Sequence, residues 1–246
     1  MEYTVYGYEG NPRTRIIRII ASSQLSFRPD PTLLTIPSAQ AHSQGIKVNL
    51  SEVVPRQNRN RDALIEKFPR SLGKIPALEG DNLKLTEVPA IAHYLAKVKP
   101  GRLLGDGSLE QEAEVLSWVN WANQEMLIIM SKWFLPLIPG LARPAPYDHA
   151  AVEAGKAATL AFLDKHEAAV KDKTFLVGDG FTLADIFVAV YVSRGLEWIL
   201  GAEWRATHPA TMRHFRMVAD WEHCRAVVPE FKQVDVEVPN VDPYAA

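Results

Sequence analysis

The sequence holds almost no cysteine: Cys224 stands alone among 246 residues. A single thiol excludes an internal disulfide framework and any cysteine-rich metal site, and it fits a reducing compartment. Long apolar runs are missing too. No stretch approaches the roughly 20 residues that cross a bilayer, and the opening MEYTVYGYEG has no basic segment leading into an apolar one. No membrane span and no secretory leader are predicted, and the expected location is the cytoplasm. His208, His214 and His223 lack acidic or cysteine partners at ligand spacing, so no metal is expected. The basic clusters Arg13, Arg15, Arg18 and Arg56, Arg59, Arg61 carry no interleaved aromatics. They read as solvated faces, with no nucleic-acid partner.

What is present is a core-forming composition with an uneven charge. Hydrophobic residues make up 47% of the chain, enough for one large or two ordinary domains. Residues 1–100 hold 14 Lys and Arg against 9 Asp and Glu, a net +5, while the remainder hold 13 against 20, a net −7. The first part therefore favours small anions.

The pattern changes along the chain in step with the charge. Thr4 to Tyr8 predicts a strand, and Pro12 opens a helix whose apolar face is Ile16, Ile17, Ile19 and Ile20. Residues 25–44 have no usable period and three prolines, and read as a loop insertion, the most mobile part of the chain. Ile46 to Val48 resumes as a strand, Asp62 to Phe68 as a helix, and Ile75–Leu78 with Leu83–Leu85 as a hairpin. A helix from Pro89 to Val98 ends this part.

From Leu109 onward the signals are helical. Leu109 to Phe134 carries Trp118, Trp121, Trp133 and Phe134, too much apolar surface for one stripe, so this helix is buried on several sides. These aromatics are mostly core, and their edge nearest the connector is expected to line an apolar co-substrate site. Tyr147 to Lys171 is the next helix. Thr182 and Asp185 then form a capping box, with Phe181 against Ile186 as a hydrophobic staple. That helix is expected to stop near Leu200 at Gly201. Asp185 is thus a folding residue. A last helix runs from Pro209 to about Trp221, Cys224 is a small buried apolar residue, and the tail from Val234 is expected to be extended and loosely held.

The most informative stretch is Gly73 to Ile91, GKIPALEGDNLKLTEVPAI. Proline lacks an N–H and sits in sheets only at a strand start, an edge or a bulge. Ile75-Pro76 therefore marks a strand whose first peptide groups are free to pair with something else, and Glu87 stands where a helix begins. Backbone, rather than a pocket of reactive side chains, is suited to hold a peptide-shaped ligand here.

GKIPALEGDNLKLTE followed by FLVGDGFTLADI resembles the cytosolic glutathione S-transferases. LSWVNWANQEM, KWFLP and GAEWRATHPATMRHF narrow the likeness to the transferase-like domain of the gamma subunit of eukaryotic translation elongation factor 1. That subunit carries a further C-terminal domain while this sequence stops at Ala246, which leaves a stand-alone relative and a fragment both open. The resemblance covers nearly the whole chain except residues 25–44. It implies an α/β thioredoxin-like domain over 1–98, an all-helical domain over 106–234, an extended tail over 235–246, and a homodimer. It implies glutathione as co-substrate, without a metal, conjugated to a small electrophile after the protein lowers the thiol pKa. The alternative it leaves is a weakly catalytic or inactive interaction module of the elongation factor 1 complex.

The same resemblance assigns residues. Ile75-Pro76 is expected to be cis, with the Ile75 backbone pairing to the cysteinyl unit as an added strand would. Glu87 takes the γ-glutamyl ammonium, the Val88 N–H faces a carboxylate at a helix N-terminus, and Lys74 or Arg13 meets the other carboxylate. Most of the family has serine where Val88 stands, so one hydrogen bond of about 1 kcal/mol is missing. Asn11 occupies the place of the catalytic serine or cysteine: its amide can donate to a thiolate and is equally a good N-cap. Tyr8 is the alternative donor, and Arg13 adds positive potential.

Overall fold

The structure, a computed structural model, describes residues 1–23, 46–99, 101–141 and 147–245. The loop insertion read over 25–44, with its expected mobility, lies outside the described residues. Strands β1 (Glu2–Gly7), β2 (Lys47–Glu52), β3 (Ala77–Gly80) and β4 (Leu83–Thr86) form one sheet in the order β2-β1-β3-β4. β1 runs parallel to β2 and antiparallel to β3, which is antiparallel to β4. The register sets Val5 opposite Leu50 and Leu78, and Leu78 opposite Leu85, which buries Val5 and Leu78 completely. The strand expected from Ile75 enters the ladder only at Ala77, because Pro76 has no N–H to contribute.

Helix α1 (Pro12–Ser23) has the predicted proline at its first position and buries all four of its isoleucines. It packs on α3 (Val88–Val98) and also on the central helix of the second half. The short α2 (Arg61–Lys67) lies between β2 and β3.

The second half holds α4 (Leu109–Trp121), α5 (Leu127–Phe134), α6 (His149–Val170), α7 (Leu183–Trp198), α8 (Ala202–Thr207), α9 (Pro209–Asp220) and α10 (Glu222–Arg225). The single helix expected over Leu109–Phe134 is interrupted by one π turn, Ala122–Met126, in which the Leu127 N–H reaches back five residues to the Ala122 carbonyl. This turn changes which faces point inward on either side of it. Together the sheet with its helices and the all-helical half make the thioredoxin-like plus all-α architecture that the resemblance implied.

α7 is the axis of the helical half: every residue from Leu183 to Leu196 is buried. Its start is held by Asp185, which has no exposed surface. Asp185 Oδ2 accepts from the Thr182 N–H (2.8 Å) and hydroxyl (2.9 Å), and Oδ1 from the Leu176 N–H and His214 Nε2, both 2.9 Å away. A carboxylate accepting four bonds is what makes its burial tolerable. Phe181 stacks on Trp221 with ring centroids 4.6 Å apart.

Two expectations are corrected at the other end of α7. The helix stops at Trp198, where the Gly195 carbonyl accepts both the Ile199 and Leu200 N–H groups, so Gly201 does not end it. Gly201 is required because a Cβ there would come within 2.7 Å of the Asp235 carbonyl oxygen. The tail from Val234 is likewise not loose. Its N–H groups at Val234 and Val238 satisfy the Leu196 and Trp198 carbonyls (2.9 and 3.0 Å), which the helix end leaves without partners. Tyr147 then donates to Asn240 Oδ1 at 2.7 Å and Arg205 pairs with Asp235 at 3.1 Å, so the tail straps the helical half.

Replacing Asp185 with Ala strips four donors of their acceptor inside the core. Urea denaturation should show a loss of about 3–5 kcal/mol, larger than any surface carboxylate would give.

A second buried polar group adds a pH term. His166 lies under Trp118 and Trp121, with centroids 6.4 and 5.6 Å away, and burial pushes its pKa down to about 3. The unfolded chain binds that proton near the ordinary value of 6.5. Stability from this group is therefore fully present above 6.5 and lost as pH falls toward 3. His166→Phe should flatten the acid limb of a stability-against-pH curve; an unchanged limb would assign the loss to other groups.

Candidate functional site

A cleft of about 500 Å³ opens between the sheet half and the helical half. It brings together the residues assigned to glutathione and to its thiol: Tyr8, Asn11, Arg13, Lys74, Ile75, Pro76, Glu87 and Val88 all line it. The β1–α1 turn delivers Tyr8 and Asn11, the first turn of α1 Arg13, the entrance of β3 the next three, and the start of α3 the last two.

Each side chain reaches the cleft for a local reason. Asn11 caps α1, its Oδ1 accepting from the Thr14 N–H at 3.0 Å. The cap uses only the oxygen, so the amide nitrogen remains as a donor on the cleft wall. Ile75 joins Pro76 by a cis peptide and stands just ahead of the ladder. Glu87 precedes α3 with φ of +71°, a left-handed backbone that a side chain adopts at a cost of about 1–3 kcal/mol. Glu87 is exposed, and Val88, at the first position of α3, turns its side chain into the core. No hydroxyl stands at Val88, but its N–H belongs to the first turn, where no intrahelical acceptor exists.

Arg13 is fixed from the helical half. Its Nε donates to Asn123 Oδ1 at 3.1 Å, and the buried Tyr191 hydroxyl donates to the same oxygen at 2.8 Å. Asn123 sits in the π turn, and burial pushes the Tyr191 pKa upward, so the phenol stays a neutral donor. The guanidinium is thus oriented by a neutral group and keeps its full charge for the cleft. Lys74, by contrast, is exposed at the rim.

Tyr8 has a partner that the sequence did not disclose. Arg56 donates to its hydroxyl and lies over its ring, 5.7 Å from the centroid, with a second bond to the Gly140 carbonyl at 3.4 Å. Arg56 had been read as part of a solvated basic face. Asn123 and Gln124 were also missed, because the extra residue of the π turn places them on the cleft in a way that no helical period anticipates.

Other side chains fall elsewhere. Trp118 and Trp121 do not reach the cleft and so do not line a co-substrate site there: with Phe162 they form a shallow apolar cavity of about 370 Å³ between α4 and α6. Trp133 and Phe134 are core. Cys224 has no exposed surface, and burial pushes its thiol up to about 12, as suits an inert packing residue. His214 serves Asp185, and His208 stacks on Trp204 while its Nε2 lies 3.0 Å from Asp164. Among the described residues no helix is long and apolar enough to cross a membrane.

Fold and cleft together have the architecture of the glutathione S-transferases. Residues 23–97 match the N-terminal domain model of that family and residues 126–221 its C-terminal domain model. The chain belongs to the glutathione S-transferase family. It is 33% identical over 213 residues to glutathione S-transferase psoE of Aspergillus fumigatus, covering 83% of this chain and 86% of that one. It is 32% identical over 201 residues to elongation factor 1-gamma 1 of Saccharomyces cerevisiae, covering 78% of this chain and 46% of the relative. The chain thus spans about half the length of that relative. The crystal structure of the GST-like domain of elongation factor 1-gamma from the same yeast superposes with a TM-score of 0.74, covering 96% of this chain and 97% of the other at 27% identity.

The two roles of Asn11 separate by substitution. Asn11→Ala should destabilise the protein by about 1 kcal/mol in urea denaturation, while Asn11→Asp, which keeps an acceptor for the Thr14 N–H, should leave stability within a few tenths of that of the wild type.

Proposed function

We propose that this protein conjugates glutathione to small electrophiles. The observation that carries this reading is the convergence of the Asn11 donor, the Ile75 edge and the Glu87 carboxylate on one cleft. In this reading Ile75 pairs with the cysteinyl backbone, Glu87 receives the γ-glutamyl ammonium, and the first turn of α3 at Val88 receives its carboxylate. Arg13 or Lys74 meets the glycyl carboxylate. The sulfur then lies toward the β1–α1 turn.

A free thiol with a pKa of about 8.5 is only a few per cent ionised at pH 7, and lowering it by about two units takes about 2.7 kcal/mol of preference for the thiolate. A hydrogen bond from the Asn11 amide to a charged sulfur contributes about 1.5–3 kcal/mol, which covers most of that requirement. Tyr8 is the other donor on this wall, and Arg56 beside it adds positive potential. Asn11 has no thiol to form a mixed disulfide, which favours conjugation over thiol exchange. A homodimer acting in the cytoplasm completes the reading, and light scattering near twice 27.4 kDa would support the dimer.

A second reading is favoured by the likeness to the elongation factor domain and by the apolar Val88 side chain. In it the chain is a transferase-shaped interaction module of the elongation factor 1 complex.

Retention on immobilised glutathione, followed by conjugation of 1-chloro-2,4-dinitrobenzene, separates the two. The transferase should be retained and turn over. Asn11→Asp, still folded and capped, should raise the pH at which the rate reaches half its plateau by about one to two units, because its carboxylate cannot donate to the thiolate. Glu87→Gln should weaken retention about tenfold. A folded wild type that neither binds nor turns over would leave the interaction module.

A further inference from the structure

A second cavity, of about 540 Å³, adjoins the cleft and shares Tyr8 and Arg56 with it. Its walls differ from what a purely apolar electrophile would need. Trp198 and Phe231 provide flat apolar surface, but Arg15, Arg56, Arg59, Arg194 and Lys232 also face the space. Two of these cations are matched: Arg59 pairs with Glu52 at 3.0 Å, and Arg194 pairs with Glu197. With those pairs set aside, Arg15, Arg56 and Lys232 face only Glu230, an excess of two positive charges.

One cation of this wall lies where water is scarce, while Arg15 and Arg56 are half-buried and Lys232 is exposed. Arg194 is 5% exposed and lies over Trp198, 5.9 Å from the ring centroid. Burial lowers its pKa, Glu197 opposes the change, and the nearby Arg15 and Arg56 lower it further. The guanidinium groups of Arg15 and Arg56 are thus close enough to act on that of the buried Arg194. Tyr8, which lines both cavities, is bonded by one of them, Arg56.

We propose that this cavity receives the electrophile as an organic anion: a flat, electron-poor ring bearing a carboxylate or sulfonate. The ring lies against Trp198 and Phe231 while the anionic substituent meets Arg15 and Lys232. This names the substrate class of the proposed transferase and rests on that reading. For a chloro-nitroarene the step is a substitution. The thiolate sulfur bonds to the ring carbon carrying chlorine, the carbon–chlorine bond breaks with its electron pair leaving on chloride, and the thiol proton passes to solvent.

The test compares 4-chloro-3,5-dinitrobenzoate, an anion at neutral pH, with neutral 1-chloro-2,4-dinitrobenzene. Each kcat/KM is divided by the rate constant of the uncatalysed reaction with glutathione. The anion should be favoured about tenfold, and the preference should shrink with added salt. Lys232→Glu should lower the ratio by about tenfold, whereas Lys84→Glu, on β4 and outside both cavities, should leave it unchanged. Turnover of both substrates with a ratio that neither salt nor Lys232→Glu moves would overturn the anion assignment and leave the transferase reading intact. If neither substrate turns over, yet the benzoate quenches tryptophan fluorescence saturably and Lys232→Glu weakens that binding, the anion site stands and the transferase reading falls. Absence of both turnover and quenching would overturn the two together.

Discussion

The buried carboxylate of Asp185 is the constraint on which the rest of the molecule depends. It has no exposed surface, and it ties the start of α7 to the Leu176 loop and to His214 on α9. Three separate pieces of chain converge on two oxygens, so removing that convergence would loosen the helix that all of them pack on. α7 in turn carries α1 against its side, and α1 bears Arg13 and begins at the turn that holds Tyr8 and Asn11. The cleft geometry therefore depends on this chain of packed helices as well as on the local bonds of Asn11 and Arg13.

The halves are joined at the cleft by a neutral device. An arginine crossing between two halves is commonly held by a carboxylate, and its charge is then spent. Here Asn123 and Tyr191 orient Arg13 without opposing its charge. The π turn makes this possible by placing Asn123 between α4 and α5 where an unbroken helix would turn it elsewhere. The cleft and its neighbouring cavity consequently keep a positive field, the local expression of the +5 carried by the first hundred residues.

Much of this was legible beforehand, for physical reasons that differ from element to element. Hydrophobic period located α1 and α3, and cap chemistry located Asp185, because both are local rules. The Ile75-Pro76 geometry came only through family resemblance, since X–Pro bonds are cis in about 5–6% of folded cases. Arg56 was misread because a run of arginines has the same appearance in sequence whether it faces water or a cavity. Trp118 and Trp121 were misplaced because aromatic content does not say which neighbour covers a face, and here Phe162 of α6 does. The tail was misjudged because its order depends on carbonyls at the end of α7 that no tail residue reveals.

Glu87 sets the needs of the backbone against those of the cleft. At φ of +71° the backbone would be relieved by glycine, and the chain nonetheless carries a side chain there. Folding alone therefore works against the residue that occupies the position. A library of this sequence sorted for thermal resistance would drift to glycine at this codon among the earliest, and the molecules recovered would be hardier and emptier: well-folded scaffolds from which the acidic wall of the cleft had been erased.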